Sequence, residues 1–444
     1  MAELEAQIAH LTKLLEAVQR ASKRQAAPFR KRKNPNPRKP GRKPGDDYGQ
    51  QAFRAAPTPE QITETHEAPL PAECPECQST RLTETHVDLQ FQVEIPVEPI
   101  YRQFNVHVGC CQDCGTRIQG RHELQTSDAL GAARSQMGPR LHAFMAILNK
   151  KFGLSHGKIQ SLLQDFFQIR LSRSQSCRSM LRTARRTGHA MPSIVRSIRG
   201  SPQVVPDETG WRVGGKNAWM HVFVGPQATC YVIDRRRDDG PGKRILGENY
   251  SGILVHDGWS VYDKFASCGH QTCLAHLIRR CREMIESMAP IASRASLVLP
   301  RGVLALLTDA LALRDRKAEL TRVGYLRKFD QLLVRLMILI RRRYRHAASE
   351  RLANHLFKHR DQLFTFLLED GLDATNWRAE QAIRPAVVNR KVWGGNRTWV
   401  GAEAQSTLMS ILATAAQRGI CALDYFIASL TSPAPLPLFA SPGR

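Results

Sequence analysis

Two short apolar runs in the middle of the chain each end in an acid. One run begins at Val204 and leads to Asp207, and the other begins at Ile253 and leads to Asp257. Both contain β-branched residues, and each acid is followed within three residues by glycine. This pattern predicts buried strands that carry their acids at the carboxyl edge of a sheet, where α/β proteins usually hold ligands.

Two further runs with period-two alternation, 218–224 and 228–234, lie between these strands and predict an antiparallel pair. The predicted order is three consecutive strands, a helix and a fourth strand. That order fits a ribonuclease-H-like core, in which the first and fourth strands lie side by side. Asp207 and Asp257 are then expected to lie together.

The two acids favour metal chemistry if they are neighbours. Two carboxylates about 4 Å apart repel by roughly 4 kcal/mol at an effective dielectric of 20. Such a pair is therefore stable only when it is protonated or bound to a metal. An Asp before Gly is also an ordinary turn residue, and for each acid taken alone that reading stays open.

Helical periodicity predicts several helical segments in the rest of the chain. Apolar residues at four- and three-residue steps predict a coiled coil over residues 1–20, or else an amphipathic helix docked on its own chain: Leu4, Ile8, Leu11, Leu15 and Val18. Residues 126–196 predict either a helix-turn-helix DNA-binding domain or a plain helical pair packed on the core. An all-helical insertion over 277–372 divides the core into 197–276 and 373–431. The fold class is thus a multidomain α/β protein.

Two Cys-x-x-Cys pairs predict a metal site. They are Cys74 with Cys77 and Cys111 with Cys114, and Cys110 is an alternative to Cys111. Alternating apolar residues between the pairs predict a hairpin: Val87, Leu89, Phe91, Val93, Ile95, Phe104, Val106 and Val108. Four thiolates in tetrahedral geometry suit a structural Zn²⁺, so residues 58–125 are predicted to form a zinc ribbon.

The charge of the chain indicates a polyanionic partner. Its 444 residues carry a formal net charge of +24, spread in clusters, which favours nucleic acid. Eleven Lys or Arg residues and no acid occur between positions 20 and 43. Residues 21–57 are therefore predicted to be a disordered basic linker, which is either a DNA contact with at most a weak A·T preference or a solvated spacer. Its predicted DNA contacts are Arg30, Arg32, Arg38 and Arg42. The Pro-rich tail, 432–444, is also predicted to be disordered.

No segment predicts membrane insertion or export. The most apolar window, Leu332–Ile340, has nine residues including Arg335, whereas a spanning helix needs about 18. The amino terminus lacks the basic start and apolar core of an export signal. We therefore expect a cytoplasmic, nucleoid-associated protein whose eleven cysteines are thiols and metal ligands, not disulfides.

Several motifs in one order give the chain a family resemblance. From Val204 to about Phe426 it resembles the DDE transposases of the insertion-sequence-66 family of bacterial mobile elements. The matching stretches are Asp207-Glu-Thr-Gly-Trp-Arg-Val213, Val255-His-Asp257-Gly-Trp259, Gln271-Thr-Cys273-Leu-Ala-His276-Leu277, and Asn376-Trp-Arg-Ala-Glu380-Gln-Ala-Ile-Arg384-Pro385, then Arg390-Lys391 and Gly394-Gly395. Gln381 stands where the family usually has Arg.

The resemblance implies a catalytic site. It implies that Asp207, Asp257 and Glu380 are the catalytic acids and hold two Mg²⁺ or Mn²⁺ ions. Cys273 and His276 resemble a Cys-x-x-His pair that several DDE families place beside their acids, and we expect a structural role for them. The resemblance also favours an amino-terminal zipper, a homo-oligomer on DNA and two small accessory proteins encoded by the same element.

The choice of Glu380 also follows from helix signals. Thr375 and Asn376 are good N-cap residues, so a helix is predicted to start there and to end or kink at Pro385. Ala379 and Ile383 would turn a small apolar face of this helix to the sheet and direct Glu380 to the strand ends. The other acids in this part of the chain are less well placed: Glu369, Asp370, Asp373 and Glu403.

DNA contacts are predicted on two helices. Arg173, Arg178 and Arg182 lie near one face of the second helix of the helix-turn-helix. Near the acids, the candidates are Trp377, Arg384, Arg390 and Lys391. Trp377 is predicted either to stack on a displaced base or to fill the core.

The predicted function is transposition of DNA. The protein would bind its element's ends, hydrolyse a phosphodiester bond to free a 3′-OH, and transfer that strand to target DNA by two-metal in-line displacement. Two alternative functions require no catalytic activity. A zipper, linker, ribbon and helix-turn-helix would suffice for a DNA-binding regulator, and the charge alone would suit a structural nucleoid protein.

Overall fold

The residues that the structure, a computed structural model, describes are 57–439 except 68, 74, 86, 93–97, 126, 132–135 and 289–293. The chain divides into two compact units, Met1–Pro96 and Val97–Arg444. The predicted coiled coil, the linker through residue 56, and Cys74 lie outside the described residues. So do four predicted DNA contacts: Arg30, Arg32, Arg38 and Arg42. In the first unit, Gln61 Oε1 accepts a hydrogen bond from Thr58 N at 2.8 Å.

A short antiparallel hairpin flanks the second Cys-x-x-Cys pair. Its strands are β1, Val108–Cys110, and β2, Arg117–Gln119. The hairpin that the sequence predicted between the two cysteine pairs differs, because Val87, Leu89 and Phe91 are exposed and form no strand where the structure describes them. An alternating apolar face needs a covering layer, and an isolated hairpin without one is marginal in stability.

Within this hairpin, Cys111 and Cys114 face each other across a tight turn. Cys111 N donates to Thr116 O at 2.9 Å, and Gly115 N donates to Cys111 O at 2.9 Å. Hydrogen bonds with Thr116, and then one with the Cys111 side chain, lower the pKa of the Cys114 thiol. Because Cys110 belongs to β1, this geometry favours Cys111 as the partner of Cys114.

The central element is a five-stranded mixed sheet. Its strands are β3 (Gln203–Val213), β4 (Lys216–Val224), β5 (Thr229–Asp234), β6 (Ile253–His256) and β7 (Gly269–Thr272). The strand order is β5-β4-β3-β6-β7. β4 is antiparallel to β3 and β5, whereas β6 is parallel to β3 and β7. A helix, α5 (Gly240–Leu246), lies between β5 and β6 in the chain, as the sequence predicted.

Strand β3 is longer than the sequence pattern indicated. The prediction ended it at Asp207, but it continues to Val213 because β4 pairs with every residue from Val205 onward. Its parallel pairing with β6 covers only Gln203 and Val204. The polar residues that suggested a strand end therefore mark the point where β3 leaves β6.

The two faces of the sheet pack against different helical layers. Val205 and Val255 face one apolar core, which contains the helices after β7, and we call this side the insertion face. Val204 and Leu254 face a second core, which contains the helices before β3, and we call this side the amino-terminal face. Alternate residues of a strand point to opposite faces. Odd-numbered residues of β3 and β6 therefore lie on the insertion face.

Four helices cover the amino-terminal face: α1 (Pro139–Lys150), α2 (His156–Phe167), α3 (Arg173–Thr187) and α4 (Met191–Arg199). The turn between α2 and α3 has clear local causes. Gln168 ends α2 in the left-handed conformation with φ 54°, and Ser172 with Gln175 forms a capping box that begins α3. The predicted helix-turn-helix pair is therefore present as two helices joined by a turn.

This helical segment is not a separate domain, as the boundary predicted at residue 196 would require. Ile194 and Ile198 of α4 share one core with Phe223 of β4. Helix α3 also buries Met180 and Ala184 within that core. The arrangement corresponds to the alternative of a helical pair packed on the core, with a polar outer face on α3.

The described part of the segment between β7 and Glu380 contains helices joined by short loops and no strand. Its helices are α6 (Leu274–Met288), α7 (Val298–Asp315), α8 (Arg322–Arg341), α9 (Ala347–Lys358) and α10 (Thr365–Leu368). Leu306 and Leu307 of α7 are fully buried in the core of the insertion face. The predicted helical insertion is therefore part of the same core that covers the sheet.

Helix α11, Trp377–Trp393, continues through Pro385, so the proline does not end it, which was one of the two predicted outcomes. A proline inside a helix removes one backbone hydrogen bond and costs about 3 kcal/mol. Burial of Ala379, Ile383 and Ala386 against the sheet side opposes that cost. Tyr231 Oη also donates to Ala382 O at 2.6 Å, within the disturbed turn.

Helix α12, Trp399–Gln417, covers the outer edge of β5. Three hydroxyls at four-residue spacing accept hydrogen bonds from alternate β5 amides. Thr229 N donates to Thr414 Oγ1 at 3.1 Å, Tyr231 N to Ser410 Oγ at 2.8 Å, and Ile233 N to Ser406 Oγ at 3.2 Å. An uncovered edge strand would offer these groups to another chain. The helix therefore closes that edge of the sheet.

Ser410→Ala is expected to lower the free energy of unfolding by about 1–3 kcal/mol, because it leaves the buried Tyr231 N–H without its acceptor. Urea unfolding monitored by circular dichroism measures this change. Thr308→Ala is the control: it removes an exposed hydroxyl that donates to Leu304 O, and we expect a change within about 0.5 kcal/mol. Equal stability of the Ser410 variant and the wild type would contradict the account of this edge.

The tail also departs from the prediction of disorder, at least through Phe439. It follows the last helix, α13 (Ala422–Thr431). Leu438 is 1% exposed, and Leu436 O accepts a hydrogen bond from His189 Nε2 at 2.8 Å. Proline-rich composition does not prevent packing where apolar residues find a core. Here they reach the core of the amino-terminal face.

No helix within the described part of the chain is long and apolar enough to span a membrane.

Candidate active site

The pairing of β3 with β6 leads toward both Asp207 and Asp257. Gln203 pairs with Ile253 and Val204 with Leu254, and the same offset takes Asp207 to Asp257. Asp207 lies on the insertion face of β3 with Val205, and Asp257 follows directly after the end of β6. Asp257 is exposed in the turn after β6, and its Oδ1 accepts a hydrogen bond from Trp259 N at 2.9 Å.

Burial and nearby charges set the pKa of Asp207. Burial raises the pKa of Asp207 to about 7, and the neighbouring charges of Glu208, Asp257 and Glu380 add to that rise. A carboxyl with such a pKa is half protonated near neutral pH. Its environment favours either a proton or a bound cation in that position.

Glu380 approaches these acids from helix α11. Ala379 and Ile383 are buried, as the sequence predicted, so the helix lies close to the sheet and Glu380 stays at its edge. The Glu380 side chain is 37% exposed, and its Oε1 lies 3.5 Å from His276 Nε2. The charge of Glu380 acts on Asp207, as does that of Asp257.

Cys273 and His276 connect the start of α6 to the start of α11. Cys273 is fully buried, and its Sγ accepts a hydrogen bond from Asn376 N at 3.4 Å. Leu274 N donates to Ala374 O at 2.9 Å beside it. Burial raises the pKa of the Cys273 thiol, which suits packing more than reactivity. These contacts agree with a structural role for the Cys-x-x-His pair.

The acids that were considered as alternatives to Glu380 form ion pairs elsewhere or are exposed on another helix. Asp370 pairs with Lys317, and its side chain is 88% exposed. Asp373 pairs with Arg378 at 2.9 Å within the same helix start. Glu403 is exposed on α12. Glu380 is thus the acid of this region whose charge acts on Asp207.

The turn after Asp257 is held by a chain of histidines. Gly258 N donates to His256 Nδ1 at 3.1 Å, so His256 Nε2 carries the proton and donates to His270 Nδ1 at 3.1 Å. His270 Nε2 then donates to Phe265 O at 3.1 Å. Burial lowers the pKa of His256 to about 3, which keeps this chain neutral near pH 7.

Sequence reasoning missed the role of Glu208. Its side chain is 5% exposed on the amino-terminal face, where Arg237 Nη2 lies 2.6 Å from Oε1 and Tyr262 Oη donates to Oε2 at 3.3 Å. Burial raises the pKa of Glu208, and Arg237 opposes that rise. The signal was present in the Asp-Glu dipeptide, because neighbouring residues of a strand face opposite sides.

The residues that were predicted to contact DNA differ in their exposure and in their hydrogen bonds. Arg173, Arg178, Arg384 and Lys391 are exposed, Arg182 is half-buried, and Trp377 is 46% exposed. Core filling by Trp377 is therefore wrong. Arg390 is half-buried, and its Nη1 donates to Gly210 O and lies 3.4 Å from Thr209 Oγ1, while its DNA contact stays a prediction. Its guanidinium holds the β3 backbone against α11.

The acids suit a divalent cation in type and charge. Carboxylates converging on a buried Asp are the ligands that Mg²⁺ and Mn²⁺ prefer. As the side chains stand, however, no three His, Cys, Asp or Glu residues of the described chain are close enough to hold one ion. Each acid is turned to another partner: Asp207 Oδ1 accepts a hydrogen bond from Glu208 N, Asp257 Oδ1 accepts one from Trp259 N, and Glu380 Oε1 lies 3.5 Å from His276 Nε2. Binding therefore requires rotation of these side chains.

Asp207→Asn is expected to stabilise the metal-free protein at high pH. A folded pKa of about 7, above the unfolded value of about 3.9, gives stability that is complete below pH 4 and is lost as pH rises through 7. An amide does not titrate, so the variant should gain about 2 kcal/mol over wild type between about pH 5 and pH 8.

Thermal midpoints without divalent ions, measured at both pH values, test this prediction. Asp361→Asn is the control, since the Asp361 side chain is 80% exposed. The contradicting result is a stability difference between wild type and the Asp207 variant that does not change with pH. It would show that the pKa of Asp207 is not raised in the folded protein.

A comparison with protein families relates this geometry to known proteins. The model of the Transposase IS66 family matches residues 134–404, more than half of the chain. The matched stretch contains Asp207, Asp257 and Glu380 together with the whole sheet. A comparison with curated proteins finds no match. The chain belongs to the IS66 family of transposases.

Proposed function

We propose that this transposase cuts and joins DNA with Asp207, Asp257 and Glu380 as its catalytic acids. It binds the ends of its element, hydrolyses a phosphodiester bond to free a 3′-OH, and joins that hydroxyl to target DNA. The surroundings of Asp207 carry the proposal, because burial and then the neighbouring charges of Glu208, Asp257 and Glu380 raise its pKa to about 7. The strand order supports a ribonuclease-H-like core around them.

The proposed cofactors are two Mg²⁺ or Mn²⁺ ions held by the three acids. Such ions, when bound, polarise the phosphate and stabilise the attacking and leaving oxygens of an in-line displacement. The chain's own residues prepare the ligands. Trp259 N orients Asp257, and His276 orients Glu380. Asp207 keeps a proton that it can give up when a cation arrives.

Double-stranded DNA is the proposed partner, and two surfaces support its binding. The outer face of α3 carries Arg173 and Arg178, with Arg182 at its border. Beside the acids, α11 carries the exposed Trp377, Arg384 and Lys391. A cation near an aromatic ring, as Arg378 is near Trp377 at 6.0 Å, is a common feature of surfaces that bind single strands. The basic linker would add contacts that depend on salt.

We further propose a structural Zn²⁺ on Cys74, Cys77, Cys111 and Cys114. The facing of Cys111 and Cys114 supports the second half of this site. A zipper over residues 1–20 would make a homo-oligomer on DNA, and two small accessory proteins of the same element would assist it. These features suit a cytoplasmic protein associated with the nucleoid.

Cys77→Ser is expected to remove about one Zn²⁺ per chain, because a ribbon with three thiolates binds the metal far more weakly. Elemental analysis of the purified protein measures the stoichiometry. Cys110→Ser is the matched control, since Cys110 belongs to β1, and it should retain the metal. Zinc that is retained by the Cys77 variant would count against the ribbon. Zinc that is lost from the Cys110 variant would mean that Cys110, and not Cys111, is the zinc ligand.

The proposed function is tested by incubating the purified full chain with labelled element-end DNA and Mg²⁺ or Mn²⁺. Cleavage at the element boundary, resolved on a denaturing gel, is the expected result. DNA that is bound but remains intact with both cations would favour a DNA-binding regulator.

A further inference from the structure

The backbone pairing does not by itself fix the distance between Asp207 and Asp257. The parallel ladder between β3 and β6 covers only the pairs that end with Val204 and Leu254. Beyond these residues β3 continues with β4 while β6 enters a turn. A two-ion site needs its ligands held in a narrow range of positions. Another contact must therefore span the two acids.

Such a contact lies directly behind them, on the amino-terminal face. Arg237 donates from Nε at 3.1 Å and from Nη2 at 2.6 Å to Oε1 of Glu208, the neighbour of Asp207. The Arg237 guanidinium carbon lies 4.5 Å from the ring centre of Trp259 and 4.8 Å from that of Trp219. It is thus joined to both a carboxylate and two indole rings.

Trp259 completes the connection to the second acid. Its backbone N–H donates to Asp257 Oδ1 at 2.9 Å, while its ring contacts Arg237. Tyr262, whose hydroxyl donates to Glu208 Oε2, packs edge-on against the Trp259 ring at 5.7 Å between ring centres. Continuous contacts therefore run from Asp207 through Glu208, Arg237 and Trp259 to Asp257.

We propose that Glu208, Arg237 and Trp259 form an acid clamp that sets the separation of Asp207 and Asp257 for binding of divalent cations. This inference rests on the proposed function. The three side chains lie on the opposite face of the sheet from the reacting groups, so they are positioning residues. Tyr262 supports the clamp by fixing the second oxygen of Glu208.

Arginine is the residue type that this clamp requires. Its planar fork donates twice to a carboxylate while its flat faces stack on aromatic rings, and lysine reproduces neither property. Arg237 also balances the Glu208 charge, which otherwise adds to the negative potential at Asp207. Loss of Arg237 would therefore disturb both the spacing and the charge of the site.

The test uses the full chain with Arg237→Lys, and Arg235→Gln as the matched control. Arg235 lies two residues away and stacks on Trp399 at 5.0 Å, so its removal changes the charge but spares the clamp. Mn²⁺ binding to the DNA-free protein is measured by electron paramagnetic resonance. We expect binding weakened about 10-fold or more by Arg237→Lys, as for other partners of metal ligands, and binding within about twofold of wild type for Arg235→Gln.

DNA binding separates positioning from direct contact. A clamp leaves the affinity for element-end DNA and its salt dependence unchanged in Arg237→Gln, whereas loss of a phosphate contact lowers the salt slope by about one. Glu208→Gln added to Arg237→Gln removes the uncompensated charge without rebuilding the clamp, so the Mn²⁺ affinity should stay at least as weak as in Arg237→Gln. Trp259→Leu tests the same connection without altering charge if the arginine variants do not fold.

Two results would overturn the clamp. One is wild-type Mn²⁺ affinity in Arg237→Lys and Trp259→Leu, and the other is a reduced DNA salt slope without a change in Mn²⁺ binding. Both leave the proposed function intact, because the wild type would still bind the cation. A wild type that binds no Mn²⁺ would instead overturn the proposed function and the clamp together.

Discussion

Asp257→Asn is expected to abolish cleavage and strand transfer while binding to element-end DNA stays unchanged. The substitution replaces a carboxylate ligand by a neutral amide. Metal ions supply several kcal/mol of transition-state stabilisation, and about 1.4 kcal/mol corresponds to tenfold in rate. We therefore expect a loss of about 10³-fold or more. Single-turnover cleavage on a gel, with a parallel mobility-shift assay, measures both properties.

Asp257→Asn should remove the carboxylate charge without disturbing the local fold. Asp257 is exposed, and the amide oxygen of Asn keeps an acceptor for Trp259 N, so the turn should retain its form. Asp263→Asn is the control from the same turn, because Asp263 pairs with Lys358 at 2.6 Å. Cleavage at the wild-type rate by the Asp257 variant would refute the assignment of this acid.

Glu380→Gln is expected to have a similarly large effect, again about 10³-fold or more on cleavage in Mg²⁺. Glutamine preserves the shape of the side chain and a polar contact with His276. A loss of cleavage would therefore result from the missing carboxylate charge. The same assay on three control variants completes the experiment: Asp370→Asn, Asp373→Asn and Glu403→Gln.

These controls should retain cleavage, because Asp370 and Asp373 pair with Lys317 and Arg378, and Glu403 is exposed on another helix. Normal cleavage by Glu380→Gln together with loss in Glu403→Gln would mean that the helix placement and the family assignment of Glu380 are both wrong.

Local patterns were sufficient to predict the strands around the candidate site. Period-two alternation and turn residues gave the three strands, the helix and the fourth strand in their observed order. The first and fourth strands lie side by side, as predicted, and their starts are paired. Small residues around Glu380 predicted the close approach of its helix, since Ala379 is fully buried.

Contacts between distant segments decided the features that local patterns missed. Pro385 stays inside a helix because buried residues on both sides and Tyr231 hold that turn. Arg390 binds the β3 backbone, and nothing in its neighbours in sequence indicates a partner 180 positions away. The tail packs because residues near Leu438 meet a core built from remote helices. Such partners become visible only when the sheet has assembled.

The measurement that tests the central claim most directly is a Mn²⁺ titration of the DNA-free full chain, followed by electron paramagnetic resonance. The claim is that Asp207, Asp257 and Glu380 form one divalent-cation site. We predict that the wild type binds Mn²⁺ and that Asp207→Asn, Asp257→Asn and Glu380→Gln each weaken this binding about 10-fold or more, whereas Asp370→Asn does not. Equal Mn²⁺ binding by all five proteins would contradict the claim.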